Sequence, residues 1–197
     1  MNPLPKLDLT LTPLRHPASC VSLSLPLLNL LDAVLPKPPT TTFSVGSGTG
    51  LLEALFLARY PHRASAGSFM GIEVATPKGT RPVNRFLPQD NVIVVPGSWA
   101  LPDDELLGND TEALLFVYPR QPSLVKAYLN SQNVKVVVWI GPKCDLDAFV
   151  PTLLDWGELD QEGIEEDQTG KVVEGGEAIM VFRRKGEIVP QLEIDKI

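Results

Sequence analysis

The segment TTFSVGSGTGLLEALFLARYP (41–61) sets three glycines, Gly46, Gly48 and Gly50, between a short apolar run and a helix-forming stretch. Glycine permits positive φ and lets the backbone come close to a ligand. A helix that opens directly after such a turn offers unpaired N–H groups and the positive end of its dipole. Strand, glycine turn and helix in that order mark the entry to a nucleotide or cofactor site. A Walker loop is excluded, because no Gly-Lys-Ser/Thr follows. The dinucleotide spacing G-x-G-x-x-G is broken by Leu51, which argues against a nicotinamide site.

Metal and thiol chemistry find less support. The only histidines are His16 and His62, the only cysteines Cys20 and Cys144, and none is spaced as a zinc ligand set, so no metal is expected. Cys144 could serve as a nucleophile, but a buried or incidental thiol explains it better. Cysteine use of this kind fits a reducing compartment, and the expected location is cytoplasmic.

These side chains need a scaffold, and 197 residues with 44% hydrophobic content supply one domain's core. A net charge of −7 leads us to expect no nucleic-acid partner. The short basic run Arg183-Arg184-Lys185 reads as a solvated strand end. No run reaches the roughly 18 apolar residues of a membrane span, so no membrane partner is expected.

The first 41 residues are proline-rich at both ends, with Pro26 opening an apolar helical face through Leu27, Leu28, Leu30, Leu31, Val34 and Leu35. We read residues 1–41 as an arm and helix packed on a domain of residues 42–197. From Thr42 the pattern alternates: a strand at 43–45, a helix at 51–60, a strand at 69–74, a possible short helix at 81–87 and a strand at 91–95. A short helix near 103–107, a strand at 113–118, a helix at 122–131, a strand at 134–140 and a helix at 145–155 follow. Two more strands are expected at about 156–163 and 177–184. The unbroken apolar runs NVIVV, ALLFVY and VKVVVWI suit a parallel sheet covered on both faces. The last two strands are joined too briefly for a crossover helix, so they should form an antiparallel hairpin. The acidic residues between them (Glu162, Glu165, Glu166, Asp167) read as a solvated turn. The predicted fold is α/β, a doubly wound, mostly parallel seven-stranded sheet with a C-terminal antiparallel hairpin.

FSVGSGTGLLE resembles the first motif of the class I S-adenosylmethionine-dependent methyltransferases. GIEV resembles the acidic end of that family's second strand, VIVVPGSWALP the segment after its third, and YPR stands where its fourth strand ends in a Pro-containing motif. The resemblance spans residues 42–185 and implies S-adenosylmethionine as cofactor. It implies that Gly46, Ser47, Gly48 and Gly50 cradle the cofactor, that Glu73 accepts from the ribose hydroxyls, and that Ser98 and Trp99 flank the adenine. The chain departs from the family at Ser44 and Ser98, where acidic residues are usual, and so lacks two acceptors for the cofactor's amino groups.

Methyl transfer is an in-line displacement that needs proximity, alignment and sometimes a base. Tyr118 and Arg120, at the exit of the fourth strand, are the candidates to position an acceptor. Tyr118 would hydrogen-bond the nucleophile and Arg120 would clamp an anionic substrate. The bland alternative makes both rim residues, and Asp145 is a third candidate equally explained as a helix N-cap. The expected function is methyl transfer to a small molecule. The alternatives are a methyltransferase-like domain that binds, scaffolds or rearranges without methyl transfer, and a nicotinamide-dependent oxidoreductase. Oligomeric state is not readable from the sequence.

Overall fold

The computed structural model describes residues 2–64, 67–78, 80–102, 110–130, 133–160 and 171–186. A seven-stranded sheet runs through it in the order β3-β2-β1-β4-β5-β7-β6. Its strands are β1 (Thr41–Val45), β2 (Phe69–Val74), β3 (Val92–Val95), β4 (Thr111–Val117), β5 (Val136–Pro142), β6 (Gly157–Leu159) and β7 (Glu177–Arg184). The first five pair in parallel, while β7 runs antiparallel to both β5 and β6. The helices are α1 (Leu25–Val34), α2 (Leu51–Arg59), α3 (Pro122–Leu129) and α4 (Leu146–Trp156).

Strand alternation divides the interior into two layers. On one side Leu27, Leu28 and Leu31 of α1 and Leu52 and Phe56 of α2 pack on Ala113, Leu115, Val136, Val138 and Val181. On the other, Val125 and Leu129 of α3 and Phe149 and Leu153 of α4 pack on Phe43, Leu114, Phe116, Val137 and Trp139. β4 and β5 are buried on both faces, which is why their sequences are apolar without a break.

α1 begins where Ser24 caps it, accepting from Leu27 N–H at 3.0 Å, with Pro26 in the first turn. Its far end is held by the buried Arg63, which donates to Asp32 Oδ1 at 2.8 Å and to the carbonyl of Leu35 at 3.1 Å.

Three expectations need correction. Residues 81–87 form bends, not a helix: the Asn84 side chain donates to Leu87 O and accepts from Leu87 N–H, a local pairing that competes with helical hydrogen bonds. β3 is an edge strand, and Val94 is 54% exposed despite its apolar neighbours. Trp156 ends α4 and does not begin a strand. The expected helix at 103–107 and the acidic run at 162–167 lie outside the described residues.

Candidate functional site

β1 lies next to β4 at the point where strand order reverses, and in open α/β sheets the crevice beyond the strand ends at that point takes the ligand. The glycine turn sits there. Gly46 and Ser47 N–H both donate to Ile72 O, at 2.8 and 3.2 Å, which ties the turn to β2. Gly46, Gly48 and Gly50 have φ of 75°, 58° and 74°. At Gly50 the need for glycine is twofold. The left-handed backbone disfavours any Cβ, and a Cβ there would stand 2.6 Å from Asn84 Oδ1 and 3.0 Å from Leu87.

Glu73, at the end of β2, turns back onto this loop. Its Oε2 accepts from Gly48 N–H at 2.5 Å and its Oε1 from Val74 N–H at 2.8 Å. A carboxylate offers about four lone-pair positions, so acceptor capacity is left over.

Under the turn lies a group that the sequence reading missed. Glu53, in the first turn of α2, is 2% exposed, and its Oε1 accepts from Ser44 Oγ at 2.6 Å. Its Oε2 is buried with no hydrogen-bond partner, as is Ser47 Oγ. Burial pushes the Glu53 carboxyl up to about 7; the nearby Glu73 adds to the rise, and the Ser44 hydrogen bond opposes it. The signal was present in LLEALFLA, where one acid interrupts an apolar helix face.

Ser98 and Trp99 are exposed in the turn after β3, Trp99 at 75%. The Trp99 ring lies over Gly97, where an added Cβ would strike it. Among the described residues no hydrogen bond or ring contact joins either residue to the glycine turn.

The exit of β4 is built differently. Tyr118 has a φ of 53°, a conformation that costs a residue with a Cβ on the order of 1–2 kcal/mol. Its hydroxyl donates to Glu177 Oε1 at 2.5 Å. Burial first, and the Glu177 hydrogen bond second, push the phenol up to about 12, so Tyr118 is a donor at neutral pH. Glu177, at the start of β7 and 2% exposed, also accepts from Ser22 N–H and Oγ and from Glu174 N–H at 3.2 Å, and forms an ion pair with Arg15 Nη1 at 3.2 Å. Arg15 reaches Glu174 as well, at 2.7 Å. Arg120 is exposed two residues on. Asp145 occupies the N-cap position of α4 without a side-chain cap hydrogen bond, and the adjacent Cys144 is exposed, which leaves the incidental thiol of the two bland alternatives.

The two ends of the site are bridged by the N-terminal arm. Thr49 Oγ1, inside the glycine turn, donates to Ala18 O at 2.5 Å, while Arg15 and Ser22 hold Glu177. On the outer side of the turn an open cleft of about 470 Å³ is lined by Asn2, Arg81, Asn84, Arg85 and Gln89. Arg85 and Phe86 N–H both donate to Thr49 O, which fixes this segment against the turn. Neither Glu53 nor Glu73 lines this cleft.

No protein-family model and no curated protein matches the sequence. Solved structures do. A Listeria monocytogenes protein described as a candidate class I S-adenosylmethionine-dependent methyltransferase is 9% identical, with a TM-score of 0.50 over 84% of this chain and 60% of that one. A Thermoplasma acidophilum protein is 12% identical, with a TM-score of 0.49 over 82% of this chain and 97% of that one. A 23S rRNA methyltransferase is 15% identical, with a TM-score of 0.44 over 82% of this chain and 68% of that one. That an rRNA methyltransferase is among the similar structures overturns the expectation of no nucleic-acid partner. The physical reason is that net charge is a sum over the whole chain: a total of −7 coexists with Arg81 and Arg85 on one cleft. Among the described residues no helix is long and apolar enough to cross a membrane. The seven-stranded sheet, its reversed β7 and the glycine turn between β1 and α2 give this chain the Rossmann-like fold of the class I S-adenosylmethionine-dependent methyltransferases.

Proposed function

We propose that the chain binds S-adenosylmethionine on the turn from Gly46 to Gly50 and transfers its methyl group to an acceptor at the β4 exit. The observation that carries this reading is Glu73, a strand-end carboxylate within hydrogen-bond reach of the glycine turn and with acceptor capacity to spare. The residues fit the cofactor's chemistry in a second respect, since Glu53 and Ser47 each leave a buried polar atom without a partner beside the turn. When bound, the cofactor supplies an activated methyl group on a sulfonium.

Gly46, Ser47, Gly48 and Gly50 would hold the amino-acid and ribose portions, Glu73 the ribose hydroxyls, and Ser98 and Trp99 the adenine. Tyr118 would donate a hydrogen bond to the acceptor or to its developing product, and Arg120 would clamp an anionic group. Residues 42–197 carry the binding fold in this reading, with residues 1–41 as the arm over the acceptor end. That cover favours a small-molecule acceptor.

A second reading, binding without methyl transfer, is favoured by one observation: the Tyr118 hydroxyl is already committed to Glu177. Calorimetry with S-adenosylhomocysteine tests the cofactor, and Glu73→Ala should weaken binding by about 1.5–3 kcal/mol. No binding by the wild type at millimolar ligand rejects the proposal. Labelled cofactor offered with a metabolite extract and with total RNA tests transfer: label in a small molecule supports the acceptor class, label in RNA replaces it. Binding without transfer to either supports the second reading.

A further inference from the structure

We propose that Glu53, braced by Ser44, is a ligand-binding carboxylate of the glycine turn: it takes the primary ammonium of the cofactor's amino-acid portion and releases a proton to solvent as it does so. This rests on the cofactor reading above and adds to it a residue, a charge and a proton.

Position comes first. Glu53 lies in the first turn of the nine-residue α2, three residues beyond Gly50, and is bonded to the strand residue two before Gly46. The carboxyl therefore sits behind the turn, between β1 and α2. Satisfaction comes second. Buried polar atoms are almost always paired, and an unpaired one costs free energy that some gain must offset. Ser44 serves Oε1 only, and Oε2 has no partner. A donor arriving from the ligand would end that deficit.

Charge comes third. None of the ion pairs among the described residues involves Glu53. The charged group that acts on it is Glu73, of the same sign. Two carboxyls flanking one turn make a place for a cation. With the carboxyl pushed up to about 7 by burial, part of the free protein holds the Glu53 proton near neutral pH. A bound ammonium favours the ionised form and expels that proton. A plain core role for Glu53, as a neutral acid bonded to Ser44, predicts no such coupling.

The experiment is titration calorimetry at pH 7 in buffers of different ionisation enthalpy, which counts protons released on binding. S-adenosylhomocysteine carries the ammonium without the sulfonium; 5′-methylthioadenosine shares the adenosine and thioether but lacks the amino-acid group. The wild type should release a measurable fraction of a proton with the first ligand and none with the second. Glu53→Gln should abolish the release and weaken S-adenosylhomocysteine at least ten-fold at pH 8, while leaving 5′-methylthioadenosine unaffected. Ser44→Ala removes the larger of the two hydrogen bonds that hold the carboxyl down, the other coming from backbone N–H, so release at pH 7 should rise above that of the wild type. This second variant keeps the question open to refutation if Glu53→Gln does not fold. S-adenosylhomocysteine binding without proton release, unaffected by Glu53→Gln, overturns the inference and leaves the cofactor reading intact. A wild type that binds neither ligand overturns both.

Discussion

Glu53 and Glu177 are buried to the same degree, each 2% exposed, and are served in opposite ways. Glu177 collects partners from three separate parts of the chain: donors in Ser22 of the arm, Tyr118 at the β4 exit and Glu174 N–H beside it, and an ion pair with Arg15 of the arm. Glu53 has one hydroxyl on one oxygen and nothing on the other. Burial by itself therefore says little about what a carboxyl does. The supply of donors separates a group that fastens the structure from one with capacity held in reserve. By this criterion the β4 exit is assembled and the glycine turn is incomplete.

The largest expected effect is at the assembled end. Glu177→Ala leaves the Tyr118 hydroxyl and the Ser22 N–H without an acceptor, while Glu174 N–H keeps Ser22 Oγ, and should cost about 2–5 kcal/mol in urea unfolding. A loss below about 1 kcal/mol would mean that solvent replaces the carboxylate and that the contrast with Glu53 is only apparent.

At the incomplete end the effect is smaller and depends on pH. The folded protein holds the Glu53 proton up to about pH 7, whereas the ordinary value is 4.5. Between these two the folded state binds more protons than the unfolded one, so stability falls as pH rises through the window and levels off above it. The fall should be on the order of 1–3 kcal/mol. Glu53→Gln should remove that component from the pH profile of unfolding; an unchanged profile would place the proton elsewhere.

The smallest effects come from a pair of serines. Ser22→Ala, which takes a hydroxyl away from Glu177, should cost about 1–2 kcal/mol. Ser47→Ala removes a buried hydroxyl that has no partner and should change stability by less than about 0.5 kcal/mol. Equal costs at the two positions would break the comparison.

Much of the frame was legible because its signals are local. FMGIEV and EAIMVFRR coincide with β2 and β7 residue for residue, since apolar runs bounded by turn residues leave little freedom in where a strand begins. Gly46, Gly48 and Gly50 announced the turn through backbone requirements that are local as well. The side-chain partnerships were not legible. Tyr118 meets Glu177 across 59 positions of sequence and Ser22 meets it across 155. No spacing rule reaches that far, so Tyr118 read as free to face a substrate. Glu53 was passed over because a carboxylate on a helix is usually solvated, and only the packing of α2 on β1 puts this one in the interior. The edge position of β3 escaped for a related reason: composition reports apolarity, whereas strand order depends on pairings made elsewhere.

The 155 positions between Ser22 and Glu177 also bear on the order in which the molecule can be made. Contacts so distant in sequence carry a loop-closure cost that local turns do not, and they form late. The glycine turn and its partner strand β2 are contained within residues 41–74 and can find each other while synthesis continues. The fastening of the arm must wait until the ribosome has delivered β7. A nascent chain halted before Glu177 would hold the first half of its site with the arm still unanchored at the other end, so the two halves mature at different times.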